Sequence, residues 1–257
     1  MYLFSKKITG FCNLVCGAWL GNNKQLRFNK GEEDSLIVAN REEYFKKIGI
    51  DLKNTIFQEQ THSTNIKVVS SSDRGRGAYS TKDIVKNNDA LISNNKKLFL
   101  CSFTADCVPV SFFDPITHSF GIAHAGWRGT LSLIAKKTAK ELNKCFGVKY
   151  SDIICYLGPF IGKCCYEVSR ARDKRVQKFV SEFGSGVVIK KGVGNYLDLR
   201  EAVVRQLREI GILKRNIEVS DICTCCNKEY NLPSYYREKD KLKGSILSVI
   251  GISRTNI

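Results

Sequence analysis

The sequence predicts a mixed fold of the α/β or α+β class. Three observations carry that prediction: strand-like and helix-like segments alternate along the chain, two nearly continuous apolar runs lie close together, and one long segment has clear helical periodicity. The apolar runs, Leu98–Phe103 and Val108–Phe113, read as sheet strands buried on both faces. The periodic segment is Thr130–Phe146, where Leu131, Ile134, Ala135, Thr138, Leu142 and Cys145 recur on one face and Gly147 supplies a C-terminal stop.

The remaining elements follow in chain order. A helix is expected over Arg41–Ile48, then strands over Thr55–Gln58 and Ile66–Val69, with Ser70–Gly77 as a surface loop. After the two apolar runs come a strand over Phe120–His124, the Thr130–Phe146 helix and a strand over Ile153–Leu157. Helices over Ala171–Phe183 and Leu199–Ile210 and a strand over Ser245–Ile250 complete the pattern. With no repeat, low-complexity segment or Pro/Ser-rich linker, residues 1–257 are expected to form a single domain.

Composition narrows the function classes. Hydrophobic residues make up 43% of the 257, enough for a substantial core. No apolar run approaches the roughly 18 residues of a membrane span, and MYLFSKKITGF lacks the order of a signal peptide, so the expected location is the cytoplasm. Eleven cysteines are an odd count without an export signal, which favours reduced thiols over a disulfide framework. Lysine and arginine exceed aspartate and glutamate by 41 to 25, a net charge of +16. Such a field attracts anions, but the basic residues are scattered as on solvated helix faces, and only Ser234–Lys241 interleaves aromatic and basic residues. A nucleic-acid-binding protein is therefore the weakest of the readings.

The chemistry concentrates in TADCVPVSFFDPITHSFGIAHAGWRGT, Thr104–Thr130. His124 ends a predicted strand and Thr130 opens a predicted helix, with Ala-Gly-Trp-Arg-Gly between them. Gly126 and Gly129 would let backbone approach a ligand, the first helical amides would form an anion site, and Arg128 adds a bidentate donor. The competing reading is a tight turn with Trp127 as core packing. Cys107 starts a strand beside Asp106, a carboxylate that is expensive to bury without a purpose. His62 follows the first strand, and His118 sits in a hairpin turn with no assigned role.

Two imidazoles and one thiolate at strand ends, His62, Cys107 and His124, suit a catalytic zinc site with water in the fourth position. Cys107 and His124 equally suit the nucleophile and base of a cysteine hydrolase, with Asp106 or His62 as orienter. Spacing alone leaves both open. A second, structural zinc would draw on Cys164-Cys165 and Cys223-Thr224-Cys225-Cys226, but structural zinc pairs run Cys-x2-4-Cys and neither cluster reads as such a pair. Those thiols are expected to be reduced side chains of core and loops.

Thr104–Val110 (TADCVPV) and His124–Gly129 (HAGWRG) resemble the purine nucleoside phosphorylase family formerly described as laccase-domain or multicopper polyphenol oxidases. The resemblance extends through Asn40-Arg41, Gln60-Thr61-His62, Asp89-Ala90-Leu91, Gly158-Pro159-Phe160-Ile161 with Tyr166-Glu167-Val168, Leu197-Asp198-Leu199 and Cys223-Thr224. It implies a zinc held by His62, Cys107 and His124, and a layered α/β/β/α fold similar to that of toxin cysteine hydrolases. It also implies phosphorolysis of adenosine, inosine or guanosine, with adenosine deaminase and methylthioadenosine phosphorylase as further activities. The partners so implied are a purine nucleoside and phosphate. Phosphate would be held by Arg128 and the amides after Trp127, with Arg41 and Arg237 as further candidates. Zinc or Asp106 would act on the departing base, and Glu167 or Asp106 would move the proton in deamination. The chain departs from the family around Asn22 and Asn23, and at Lys243-Gly244, where a Gly-Arg landmark is expected; Ser234-Tyr235-Tyr236-Arg237 keeps Ser-x-x-Arg. A four-copper laccase needs many imidazoles and this chain has three histidines, so copper is expected only as a single ion at the same site.

Overall fold

A computed structural model describes residues 2–10, 14–19, 25–28, 33–168 and 174–253. Asn22, Asn23 and the first three residues of the expected Ala171–Phe183 helix lie outside them. In chain order the strands are β1 Tyr2–Phe4, β2 Leu14–Trp19, β3 Thr55–Phe57, β4 Ile66–Val68, β5 Ala90–Ser93, β6 Phe99–Thr104, β7 Val108–Phe113, β8 Phe120–Ala125, β9 Ile154–Leu157, β10 Val188–Lys191, β11 Gly194–Leu197, β12 Ile217–Val219 and β13 Ile246–Ile252. The helices are α1 Asp34–Lys47, α2 Trp127–Leu131, α3 Ile134–Phe146, α4 Arg175–Phe183, α5 Leu199–Glu209 and α6 Tyr235–Glu238.

Two mixed sheets organise the chain, one ordered β1-β2-β13-β6-β3 and the other β12-β9-β7-β8-β5-β4. The alternation of side chains along each strand explains how they stack. In the first sheet Phe99, Cys101, Phe103, Leu247 and Val249 face Tyr44 and Phe45 of α1 and Ile48 just after it. In the second, Val108, Val110, Phe112, Ala123 and Ala125 face Ile134, Ala139 and Leu142 of α3 and Ala202, Val203 and Leu207 of α5. The opposite faces meet between the sheets, where Leu100 and Ile250 pack with Phe113, Phe120, Ile122 and Tyr156. The result is an α+β fold layered α/β/β/α, as expected. No helix among the described residues is long and apolar enough to cross a membrane.

The expected Thr130–Phe146 helix is two helices. Leu133 adopts φ 62°, ψ 37° and breaks the ladder between α2 and α3. Leu131 and Ile134 hold a common apolar face across the break, which is why periodicity reads through it. Thr130 therefore lies inside α2 rather than opening a helix, and its amide is already bonded to Gly126 O at 2.8 Å. The hairpin turn at His118 forms as expected, with Asp114 accepting from the amides of Ile116 and Thr117.

Candidate active site

The antiparallel pairing of β7 with β8 sets Pro109 opposite His124 and Val108 opposite Ala125. Cys107, one residue before β7, therefore stands beside His124 at the end of β8. His62 arrives from the loop after β3, with its ring centroid 4.9 Å from that of His124. One donor atom from each of His62, Cys107 and His124 lies within 4.8 Å of the others. Gly126 makes this convergence possible: a Cβ there would sit 2.9 Å from Cys107 Sγ and 2.9 Å from His62 Cδ2.

Asp89 holds the group together. Its carboxylate is fully buried and lies 2.8 Å from His124 Nδ1. It also accepts the amides of Thr61 at 3.2 Å, His62 at 3.1 Å and Ser63 at 2.6 Å, and the Ser63 hydroxyl at 2.7 Å. His62 sits at φ 58°, a conformation uncommon outside glycine that this clamp sustains. Burial pushes the Asp89 carboxyl up, but hydrogen bonds from His124 and Ser63 outweigh it and hold the group below the usual range. Burial also opposes ionisation of Cys107, yet His124 and His62 pull its thiol down to about 6. Against the same desolvation, Cys107 and Asp89 lift His124 to about 9.

These residues fit zinc. The donor set is two imidazoles and one thiol that ionises readily, three nitrogen and sulfur donors of the kind zinc takes with a fourth position left open. Asp89 occupies His124 Nδ1, leaving Nε2 as the ligand atom, in the carboxylate–histidine arrangement that orients metal-bound imidazoles.

The three donors open on a cavity of about 860 Å³. Trp127, Tyr166 and Tyr236 give it aromatic walls, and Arg128, Arg175 and Lys239 give it positive charge. The cations rest on the rings: Arg128 is 4.3 Å from the Trp127 centroid, and Lys239 Nζ is 4.4 Å from that of Tyr236. Arg175 lies 5.5 Å from Trp127 and donates to Tyr166 OH at 2.8 Å.

The other residues singled out in the sequence divide. Arg128, Trp127, Asp106 and Glu167 line the cavity. Asp106, at φ 85°, accepts Thr224 Oγ1 at 2.6 Å and the Tyr236 amide at 2.5 Å; burial outweighs these bonds and raises its pKa. Gly129 is buried in α2, where a Cβ would come 3.3 Å from Ile134 Cγ2, so it serves packing. Arg41 does not reach the site. Its guanidinium is buried, donates to Leu26 O at 2.6 Å, Gly77 O at 2.6 Å and Ala78 O at 2.8 Å, and stacks on Phe57 at 4.1 Å. Arg237 also turns away, donating to Thr224 O at 3.1 Å and Cys225 O at 2.8 Å. Two functional candidates are not singled out by the sequence: Asp89, visible there only within a family landmark, and Arg175, one cation among many.

Residues 10–253 match the family model described as multi-copper polyphenol oxidoreductase laccase, and the chain belongs to that family. Among its relatives, the purine nucleoside phosphorylase YlmD of Bacillus subtilis is 33% identical over 225 residues, covering 86% of this chain and 79% of the relative. A purine nucleoside phosphorylase of Clostridium acetobutylicum is 33% identical over 232 residues, covering 88% and 86%. The crystal structure of YlmD from Geobacillus stearothermophilus superposes with a TM-score of 0.87 at 28% identity, covering 97% of this chain and 94% of that one.

Proposed function

We propose that the protein is a zinc-dependent purine nucleoside phosphorylase that cleaves adenosine, inosine or guanosine with phosphate, with adenosine deaminase and methylthioadenosine phosphorylase as side activities. The observation that carries this reading is the Asp89-oriented group His62, Cys107 and His124 opening on an aromatic, cation-lined cavity. At about 860 Å³ that cavity lies within the range of small-molecule sites, roughly 300–1,000 Å³.

Zinc held by His62, Cys107 and His124 would supply Lewis acidity toward the substrate. The chain's own residues supply the rest. Trp127, Tyr166 and Tyr236 offer faces on which a purine stacks. Phosphorolysis breaks the C1′–N9 bond through an oxocarbenium-like state and joins a phosphate oxygen to C1′. Arg128 and Arg175 are placed to hold that phosphate and compensate its charge. Asp106 keeps its proton to higher pH than an ordinary carboxyl, while its bonds to Thr224 and Tyr236 position the wall. Glu167, which also lines the cavity, is the acid or base for the proton exchanged at the purine. Residues 1–257 act as one domain in this reading, in the cytoplasm.

Separate incubations of each nucleoside with and without phosphate test the assignment. Phosphate-dependent release of free base is expected; base released equally without phosphate would replace the phosphorylase by a hydrolase of nucleosides.

A second reading has an observation of its own. Cys107, His124 and Asp89 form a thiol–imidazole–carboxylate series with the thiol pulled down to about 6, the arrangement of a nucleophile, its base and an orienter. Turnover of acyl substrates by metal-free protein would favour it.

A further inference from the structure

Behind the cavity wall, the loop after β9 crosses the loop after β12. Phe160 pairs with Cys223 in an isolated parallel bridge, and Thr224 N donates to Phe160 O at 3.0 Å. At the crossing, the sulfur atoms of Cys164, Cys165, Cys223 and Cys226 all lie within 4.8 Å of one another. All four are free thiols of loops, as expected, but they are gathered at one point. Cys223 and Cys226 are separated by two residues, the Cys-x2-Cys spacing of a zinc knuckle, and Cys225 between them hides it.

Four sulfurs around a tetrahedral zinc, at about 2.3 Å each, stand about 3.8 Å apart. Cys164 and Cys226 are 3.6 Å apart and no pair exceeds 4.8 Å, so a zinc ion needs only a modest adjustment of the group. Four thiols without a carboxylate select a soft, tetrahedral metal over calcium or magnesium. The backbone is shaped around the sulfurs. Gly162 N donates to Cys223 Sγ at 3.2 Å, a bond that favours the thiolate. A Cβ at Gly162 would sit 3.0 Å from Cys164 Sγ and crowd that sulfur. Lys191 places its ammonium at the rim, donating to Lys163 O at 3.1 Å, where it offsets the negative charge of a zinc tetrathiolate.

We propose that Cys164, Cys165, Cys223 and Cys226 hold a structural zinc ion, distinct from the His62–Cys107–His124 site. Its role follows from what the two loops carry. The first brings Tyr166 and Glu167 to the cavity, and the second brings Thr224, whose hydroxyl holds Asp106. A metal at the crossing fixes one cavity wall to the other. Binding discharges the thiol protons, so occupancy falls as pH drops.

The test is metal analysis and zinc-edge X-ray absorption on full-length protein purified without chelator. Two zinc ions per chain are expected in the wild type and one in Cys164→Ser/Cys226→Ser. The Cys107→Ala variant leaves all four cluster thiols intact and should keep one zinc with a sulfur-only shell at about 2.3 Å. That measurement stands even if the serine variant fails to fold. A Cys107→Ala protein without a sulfur-only zinc would overturn the proposal. So would iron in place of zinc, or a Cys164–Cys226 disulfide in the wild type by mass spectrometry.

Discussion

Asp89 Oδ1 lies 2.8 Å from His124 Nδ1, and the same buried carboxylate takes the three successive amides of Thr61, His62 and Ser63. One side chain thus orients one imidazole and places the loop that delivers the other. Asp89→Asn should weaken metal binding about tenfold to a hundredfold, the usual cost of losing an outer carboxylate. Competition against a chelator measures it; unchanged affinity would deny Asp89 this positioning role.

Cys107 titrates in the metal-free protein with its folded value depressed to about 6. Its thiolate should dominate at neutral pH, so alkylation by iodoacetamide should rise through pH about 6 and level off well below an ordinary thiol, about 8.5. The stability its ionisation contributes is present above the unfolded thiol value and is lost as pH falls through about 6. In His124→Ala the inflection should move upward, because burial then acts with less opposition. A profile unmoved by that change would show that the imidazole does not set the thiol.

Gly126 is held to glycine by space. Its φ of −69° suits any residue, but a Cβ would press on Cys107 Sγ and His62 Cδ2, each at 2.9 Å. Gly126→Ala should keep the fold at a cost of about 1–3 kcal/mol and lose zinc at the His62–Cys107–His124 site. Thermal melting and metal content, read together, separate the two effects.

Two arginines should behave oppositely. Arg175→Ala should raise the KM for phosphate, because it removes a cation at the cavity and the donor to Tyr166 OH. Arg41→Ala should cost about 3 kcal/mol or more of stability, since it strips three carbonyls of a buried donor, and leave the KM of the folded protein unchanged. Denaturant unfolding and steady-state kinetics on both variants decide the matter; a phosphate KM raised in Arg41→Ala would contradict its placement here.

How much the sequence revealed depended on which forces acted locally. Val108–Phe113 is a strand over its predicted bounds because both of its faces are buried and its pattern needs no partner to be read. The β10–β11 hairpin and β2 were missed: one is polar and half-exposed, the other carries Gly17, where β1 passes too close for a side chain. Cys107 and His124 were legible because they sit at the ends of adjacent strands. His62 reaches them through Asp89, 27 residues further along the chain, and no periodicity encodes that bond. Arg41 misled because a guanidinium that binds carbonyls looks, in sequence, like one that binds phosphate.

The most direct measurement is zinc content and phosphate-dependent release of base from adenosine, inosine and guanosine, in the wild type and in His124→Ala. The expected result is one zinc ion fewer per chain in the variant, with turnover lost alongside it. Unchanged zinc with turnover retained would contradict the site, and a wild type that cleaves no nucleoside but turns over acyl substrates without metal would hand Cys107 and His124 to the thiol hydrolase.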